Sequence, residues 1–144
     1  MPELGLAIID EAVHDTNAWL NAISDRTAAD KGTAYHALRA GLHAVRDRLT
    51  AEEAVHLSQQ LPLMIRGIFF EGWQPAATPR LDRDKDAWMA TVEGYLARDR
   101  ETEITPEAAA QAVLTLLAER IDAGEMRHLE EQLPDEVAAL ARAA

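Results

Sequence analysis

Glu53 and His56 stand three residues apart, and Glu125 and His128 repeat that spacing 72 positions further on. Two Glu-x-x-His helices, joined by one glutamate from each of two further helices, are the ligand set of di-iron and di-manganese bundles. Carboxylate oxygens would bridge the metals there, and an imidazole would complete each one. The same spacing has a second explanation. Glu53 follows Thr50 by three residues and Glu125 follows Asp122 by three, where a glutamate closes a capping box. In that role each glutamate serves its own helix, and each histidine bonds to backbone close by. No further pair of glutamates 72 apart stands at core-facing positions to complete a four-carboxylate set. The sequence therefore favours caps over a metal, and no cofactor is expected.

A second group is cationic. His36, Arg39, His43 and Arg46 recur at spacings of 3, 4 and 3, forming one stripe of a helix. Arg39, Arg46 and Arg66 suit bidentate capture of a carboxylate or phosphate, with His43 between them and Trp73 as an apolar or stacking wall. The opposing reading pairs these arginines with neighbouring Asp and Glu, and puts Phe69, Phe70 and Trp73 in the core. Catalysis finds little to build on. There is no Gly-x-Ser-x-Gly elbow, no phosphate-cradling glycine loop and no dinucleotide fingerprint. His43 and Asp47 are four apart and within reach of a bond, but an orienting pair without a nucleophile is no mechanism.

The elements that must position these groups are helical throughout. Alanine, leucine, glutamate and arginine dominate, and runs of β-branched residues are absent. Leu6, Ile9, Val13, Leu20 and Ile23 fall near one apolar stripe with Trp19 beside it; Asp15-Thr16 either interrupts that helix or lies within it. Thr33 is expected to cap the next helix, whose buried face is Tyr35, Leu38, Leu42, Val45 and Leu49. A short helix follows Thr50, another starts at Pro62 and ends at Gly72, and Gly72 to Pro79 reads as a linker. Beyond it come helices over about 84–98, from Thr105-Pro106 to Ile121, after Asp122 and from Pro134.

A constant shift of 72 lays Leu42 on Leu114, Arg48 on Arg120, His56 on His128, and Gln60-Leu61-Pro62 on Gln132-Leu133-Pro134. Trp19 and Ile23 meet Trp88 and Val92 at a shift of 69. The expectation is an all-α protein of about eight helices in two tandem, pseudo-equivalent repeats, 1–75 and 76–144, sharing one core. The cationic stripe belongs to the first copy alone, since Ala108, Gln111, Thr115 and Ala118 take its places in the second and Ala138 takes that of Arg66.

The run Tyr35…Leu38-Arg39…Leu42-His43…Arg46-Asp47-Arg48-Leu49 is followed by Glu53-Ala54-Val55-His56-Leu57 and Gln60-Leu61-Pro62…Ile65-Arg66-Gly67. With Phe70-Glu71-Gly72-Trp73 and Thr78-Pro79 it resembles the bacterial family called domain of unknown function 2267. The resemblance covers nearly the whole chain and implies a small helical bacterial protein, with no established activity and no catalytic residues to carry over.

Composition bounds what remains. With 144 residues, 48% hydrophobic and 27% charged, the chain is a globular mixture able to bury a core without disulfide or metal. Its lack of cysteine removes thiolate chemistry. A net charge of −11 repels phosphate backbones, so nucleic acid is not an expected partner. No segment is apolar enough for a bilayer, and Met1-Pro2-Glu3-Leu4-Gly5 lacks the start of a signal peptide, which favours the cytoplasm. The leading expectation is a non-catalytic interaction or adaptor module, with a protein partner or a homodimer. Its alternative is a small-anion sensor on Arg39, Arg46 and Arg66, and a di-metal protein on the Glu-x-x-His pairs stands behind both.

Overall fold

The computed structural model describes residues 5–98 and 103–142, and Met1 to Leu4, part of the signal-peptide reading, lie outside them. Helix α1, Ala7–Thr27, runs unbroken because the Thr16 hydroxyl donates to the Ala12 carbonyl one turn back, at 2.7 Å. Its expected apolar face is only half used. Trp19, Leu20 and Ile23 are buried, while Leu6, Ile9 and Val13 are 68%, 53% and 48% exposed, with Ile8 beside them. Periodicity marks a face, but it cannot say how far a neighbour extends along it, and the first two turns of α1 pass the end of the core. Ala28, in the left-handed conformation, stops the helix.

Helix α2, Lys31–Arg46, is capped by Asp30, whose carboxylate accepts from the Thr33 amide at 2.8 Å. Thr33 is thus inside the helix and not its cap, because the preceding aspartate satisfies the same amide with a charged acceptor. Helices α3 (Ala51–Ser58) and α4 (Leu63–Phe70) follow, with Pro62 at the corner between them. The expected linker is a strap: Gly72 turns it at φ +70°, Pro75–Ala77 make a 3-10 turn, and the chain then reaches Asp84. A side chain at Gly72 would be strained by that φ whatever the space around it.

Helices α5 (Lys85–Leu96), α6 (Pro106–Arg120), α7 (Ala123–Gln132) and α8 (Asp135–Ala138) complete the order, the last running into a 3-10 turn at Ala139–Arg142. Asp84, Thr105 and Asp122 cap α5, α6 and α7 through their side chains. The protein is all-α, and no strand occurs among the described residues. None of the described helices is long and apolar enough to cross a membrane.

Helices α2 and α6 form the centre. Around them, α2 packs on α1, α4, α5 and α6, α6 packs on α1, α5 and α7, and α8 rests on α5 and α7. Trp88, Phe69, Ile23, Leu38, Leu42, Leu114 and Leu117 are among the fully buried side chains, so one core draws on both sides of residue 75. Gly41 of α2 lets α6 come close: a β-carbon there would stand 2.7 Å from the Val113 side chain. These two positions are 72 apart, and the absent side chain of one makes room for the branched side chain of the other.

Candidate functional site: an arginine-lined groove

The polar side of α2 faces α4, the strap and α5, and the groove between them has a volume of about 220 Å³. Its floor begins with Arg46, which is 2% exposed. Helix α4 ends with carbonyls that have no partner inside the helix. Arg46 Nη1 supplies one, donating to the carbonyls of Phe69 and Glu71 at 3.1 and 2.9 Å. Its Nη2 donates to the Tyr95 hydroxyl at 3.3 Å, and its guanidinium lies 3.2 Å from the Asp47 carboxylate. Tyr95 donates to the other oxygen of Asp47 at 2.5 Å, and the Arg80 amide donates to the Asp47 carbonyl at 2.7 Å. Asp47 thereby ties α2, α5 and the strap together.

His43 does not bond to Asp47; its Nε2 donates to the Ile68 carbonyl at 2.7 Å. Burial, with the nearby charges of Arg46 and Arg39, brings its pKa down to about 4, although the bond to Ile68 pulls the other way. At neutral pH this ring is an uncharged donor and adds no cation. Burial, then the bond to Asp47, also raises Tyr95 above the usual phenol value. At the rim, Arg39 Nε donates to a Glu71 carboxylate oxygen at 2.6 Å and holds that carboxyl below its ordinary range. Arg98 lies over the Tyr95 ring, 4.9 Å from its centre, and Arg80 Nη1 donates to the Thr91 hydroxyl at 2.7 Å. Arg39, Arg46, Arg80 and Arg98 line the groove against Asp47 and Glu71, so cations outnumber acids two to one.

Of the residues expected in a site, Arg39, His43 and Arg46 come together here, and Arg66 and Trp73 do not. Arg66 turns the other way, donating to the Ser58 and Leu61 carbonyls at 2.9 and 3.1 Å, where it closes the end of α3. Trp73 packs on Phe70 with ring centres 5.1 Å apart, against the core. The groove gains Arg80, Arg98, Tyr95 and Glu71 in their stead. Sequence spacing along one helix could not find them, since they arrive from the end of α4, the strap and α5. One signal was present: at the shifts of 72 and 69, Asp47 and Tyr95 fall on Glu119 and Arg26, which form an ion pair at 2.6 Å.

The Glu-x-x-His residues meet elsewhere, in a cleft of about 660 Å³ between α3 and α7. They are joined crosswise. His56 Nδ1 donates to Glu125 at 2.8 Å, and His128 Nε2 donates to Glu53 at 2.7 Å. The histidines thus bond to carboxylates of the opposite helix and not to backbone. Glu53 closes its capping box with Thr50 as expected. Burial raises Glu53, but the Thr50 amide and His128 outweigh it and leave the carboxyl below its usual value. Glu125 does not reach back to the Asp122 amide, because the Gln60 side-chain oxygen already accepts from that amide at 2.7 Å. Among the described residues no group of three or more histidine or acidic side chains converges to hold a metal ion. Each carboxylate is engaged by one imidazole across the cleft.

The model of a family described as uncharacterized conserved protein (DUF2267) matches residues 16–140. The chain belongs to that family. The match takes in the groove, the cleft and every described helix except the beginning of α1, so the exposed turns carrying Leu6, Ile8, Ile9 and Val13 precede it. No curated protein matches the chain significantly.

Proposed function

We propose that this protein binds a small anion in the groove between α2, the strap and α5, as a sensor rather than a catalyst. The observation that carries the reading is the convergence of four arginines on a groove of about 220 Å³ in a chain of net charge −11. Guanidinium groups present paired donors that match carboxylate and phosphate oxygens. Arg46 is fixed by its backbone and Asp47 bonds and shapes the floor; Arg39, Arg80 and Arg98 at the rim are the groups that receive the ligand. The volume suits a small ligand such as phosphate, sulfate or a short carboxylate. Calorimetric titration with inorganic phosphate, sulfate and small carboxylates tests this. Saturable binding is expected, weakened at least tenfold in the Arg80→Ala, Arg98→Ala double variant; binding untouched by that variant refutes the groove.

A second reading, an adaptor role, rests on α1. Leu6, Ile8, Ile9 and Val13 form an exposed apolar face on turns that precede the family match, and such a face is costly to leave in water. Replacing Ile9 and Val13 with glutamate should abolish any partner or self-association seen by light scattering and cross-linking while leaving the unfolding midpoint in place. Association retained in that variant removes α1 from the reading.

A further inference from the structure

Glu71 occupies the place that an incoming anion needs. Its carboxylate lies 2.6 Å from Arg39 Nε, at the rim of the groove, and its side chain is half exposed. It also sits where α4 gives way to the strap: its carbonyl accepts from Arg46, and Gly72, at φ +70°, follows it. From the geometry we infer that a phosphate dianion enters the groove by displacing the Glu71 carboxylate from Arg39, loosening the start of the strap. This deepens the anion-binding reading above and rests on it.

The reasoning is competitive. A carboxylate tethered beside its partner acts at an effective concentration on the order of millimolar. A free monocarboxylate offers Arg39 the same two oxygens and one charge that Glu71 offers already, and so must exceed that concentration to replace it. A phosphate dianion brings twice the charge and a third oxygen, which the neighbouring rim cations Arg80 and Arg98 are placed to share. The internal acid therefore raises the threshold for every anion: a monoanion, which offers no more than Glu71 does, falls below it, and phosphate, free or as a monoester, passes it. The cost of exchange is small. Ion pairs this exposed contribute about 0.2–1 kcal/mol, which sets the gain from removing the competitor at roughly 1.4- to five-fold in affinity.

Trp73 reports the movement. It lies two residues beyond Glu71 and packs on Phe70, while Trp19 and Trp88 are deep in the core. The test titrates the full chain and its Glu71→Gln variant with inorganic phosphate, methyl phosphate and acetate, by calorimetry and tryptophan fluorescence. The unaltered protein should bind both phosphates and not acetate at millimolar concentration, with a fluorescence change that Trp73→Phe removes. Glu71→Gln should bind phosphate roughly 1.4- to five-fold more tightly and raise the affinity for acetate by a like factor. Glu119→Gln, which deletes the same charge from the α1–α6 side, should leave phosphate affinity unchanged. Acetate binding as tight as phosphate in the unaltered chain, or phosphate affinity that Glu71→Gln leaves unchanged or lowers, overturns this threshold while the anion site stands. Failure of both inorganic and methyl phosphate to bind either protein overturns the anion reading itself. If methyl phosphate binds and inorganic phosphate does not, the ligand is an ester and the displacement must be read on that arm.

Discussion

The groove on α2 and the groove on α6 occupy corresponding positions in the sequence register, yet they differ in kind. On α2 the lining side chains are Arg39, His43, Arg46 and Asp47, joined by Tyr95 of α5, and the strap walls the groove on one side. On α6 they are Ala108, Gln111, Ala112, Thr115 and Glu119, joined by Arg26 and Thr27 of α1, and the groove is wider, about 550 Å³. One acid in each groove meets one side chain from the facing helix: Asp47 meets Tyr95 at 2.5 Å, and Glu119 meets Arg26 at 2.6 Å. The difference lies in what that contact is asked to do. On α6 an exposed ion pair closes the gap. On α2 the acid is buried with Arg46, and the pair holds α4, the strap and α5 in place.

The sharpest way to break the comparison is Arg46→Ala, which copies the alanine found at 118. It strips a nearly inaccessible Asp47 of its cation and leaves the Phe69 and Glu71 carbonyls without a donor. Removing one partner of a buried pair costs about 3–5 kcal/mol, and urea unfolding should show a loss of that order. A loss below about 1 kcal/mol would mean that the first groove is no more built than the second.

The next test uses pH. The His43 pKa is about 4 in the folded protein, against an ordinary 6.5. A histidine with a depressed folded pKa binds protons more readily when unfolded, so its stabilisation is complete above pH 6.5 and lost as pH falls toward 4. The loss across that window is about 3 kcal/mol. His43→Gln keeps a donor for the Ile68 carbonyl and should flatten the stability profile over the same range; Thr115, its counterpart on α6, contributes no such slope.

The smallest effects compare the two acid contacts directly. Tyr95→Phe should cost about 1.5 kcal/mol, because it removes a hydrogen bond to a buried carboxylate. Arg26→Ala should cost at most about 0.5 kcal/mol, since both members of its pair are substantially exposed. Equal losses in chemical denaturation would erase the distinction between the grooves.

Much of the helical order is legible in the sequence. The caps at Thr50 and Asp122, the helix starts near Asp84 and Thr105 and the corners at Pro62 and Pro134 depend on hydrogen bonds within a few residues, so local sequence decides them, although at α2 it misplaces the cap from Asp30 to Thr33. The stripe His36, Arg39, His43 and Arg46 was visible for the same reason. What was not legible is what each side chain meets. Arg66 shares a residue type with Arg39 and stands near it in sequence, but α4 turns it toward Ser58 and Leu61 and away from the groove. Leu6, Ile9 and Val13 match Leu20 and Ile23 in period, but the core ends before it reaches them. The two Glu-x-x-His motifs carried the right spacing for a metal, and yet each histidine found the other motif's glutamate.

The sequence alone determined the all-α class, most of the helix order and the placing of a cationic stripe on one helix, since these follow from intervals of three or four residues. Only the tertiary structure decided which arginines share a groove, that Glu71 sits at its mouth and that the histidine–glutamate pairs cross. Those outcomes depend on contacts between residues 25 to 75 positions apart, and packing the helices on α2 and α6 is what brings them within reach.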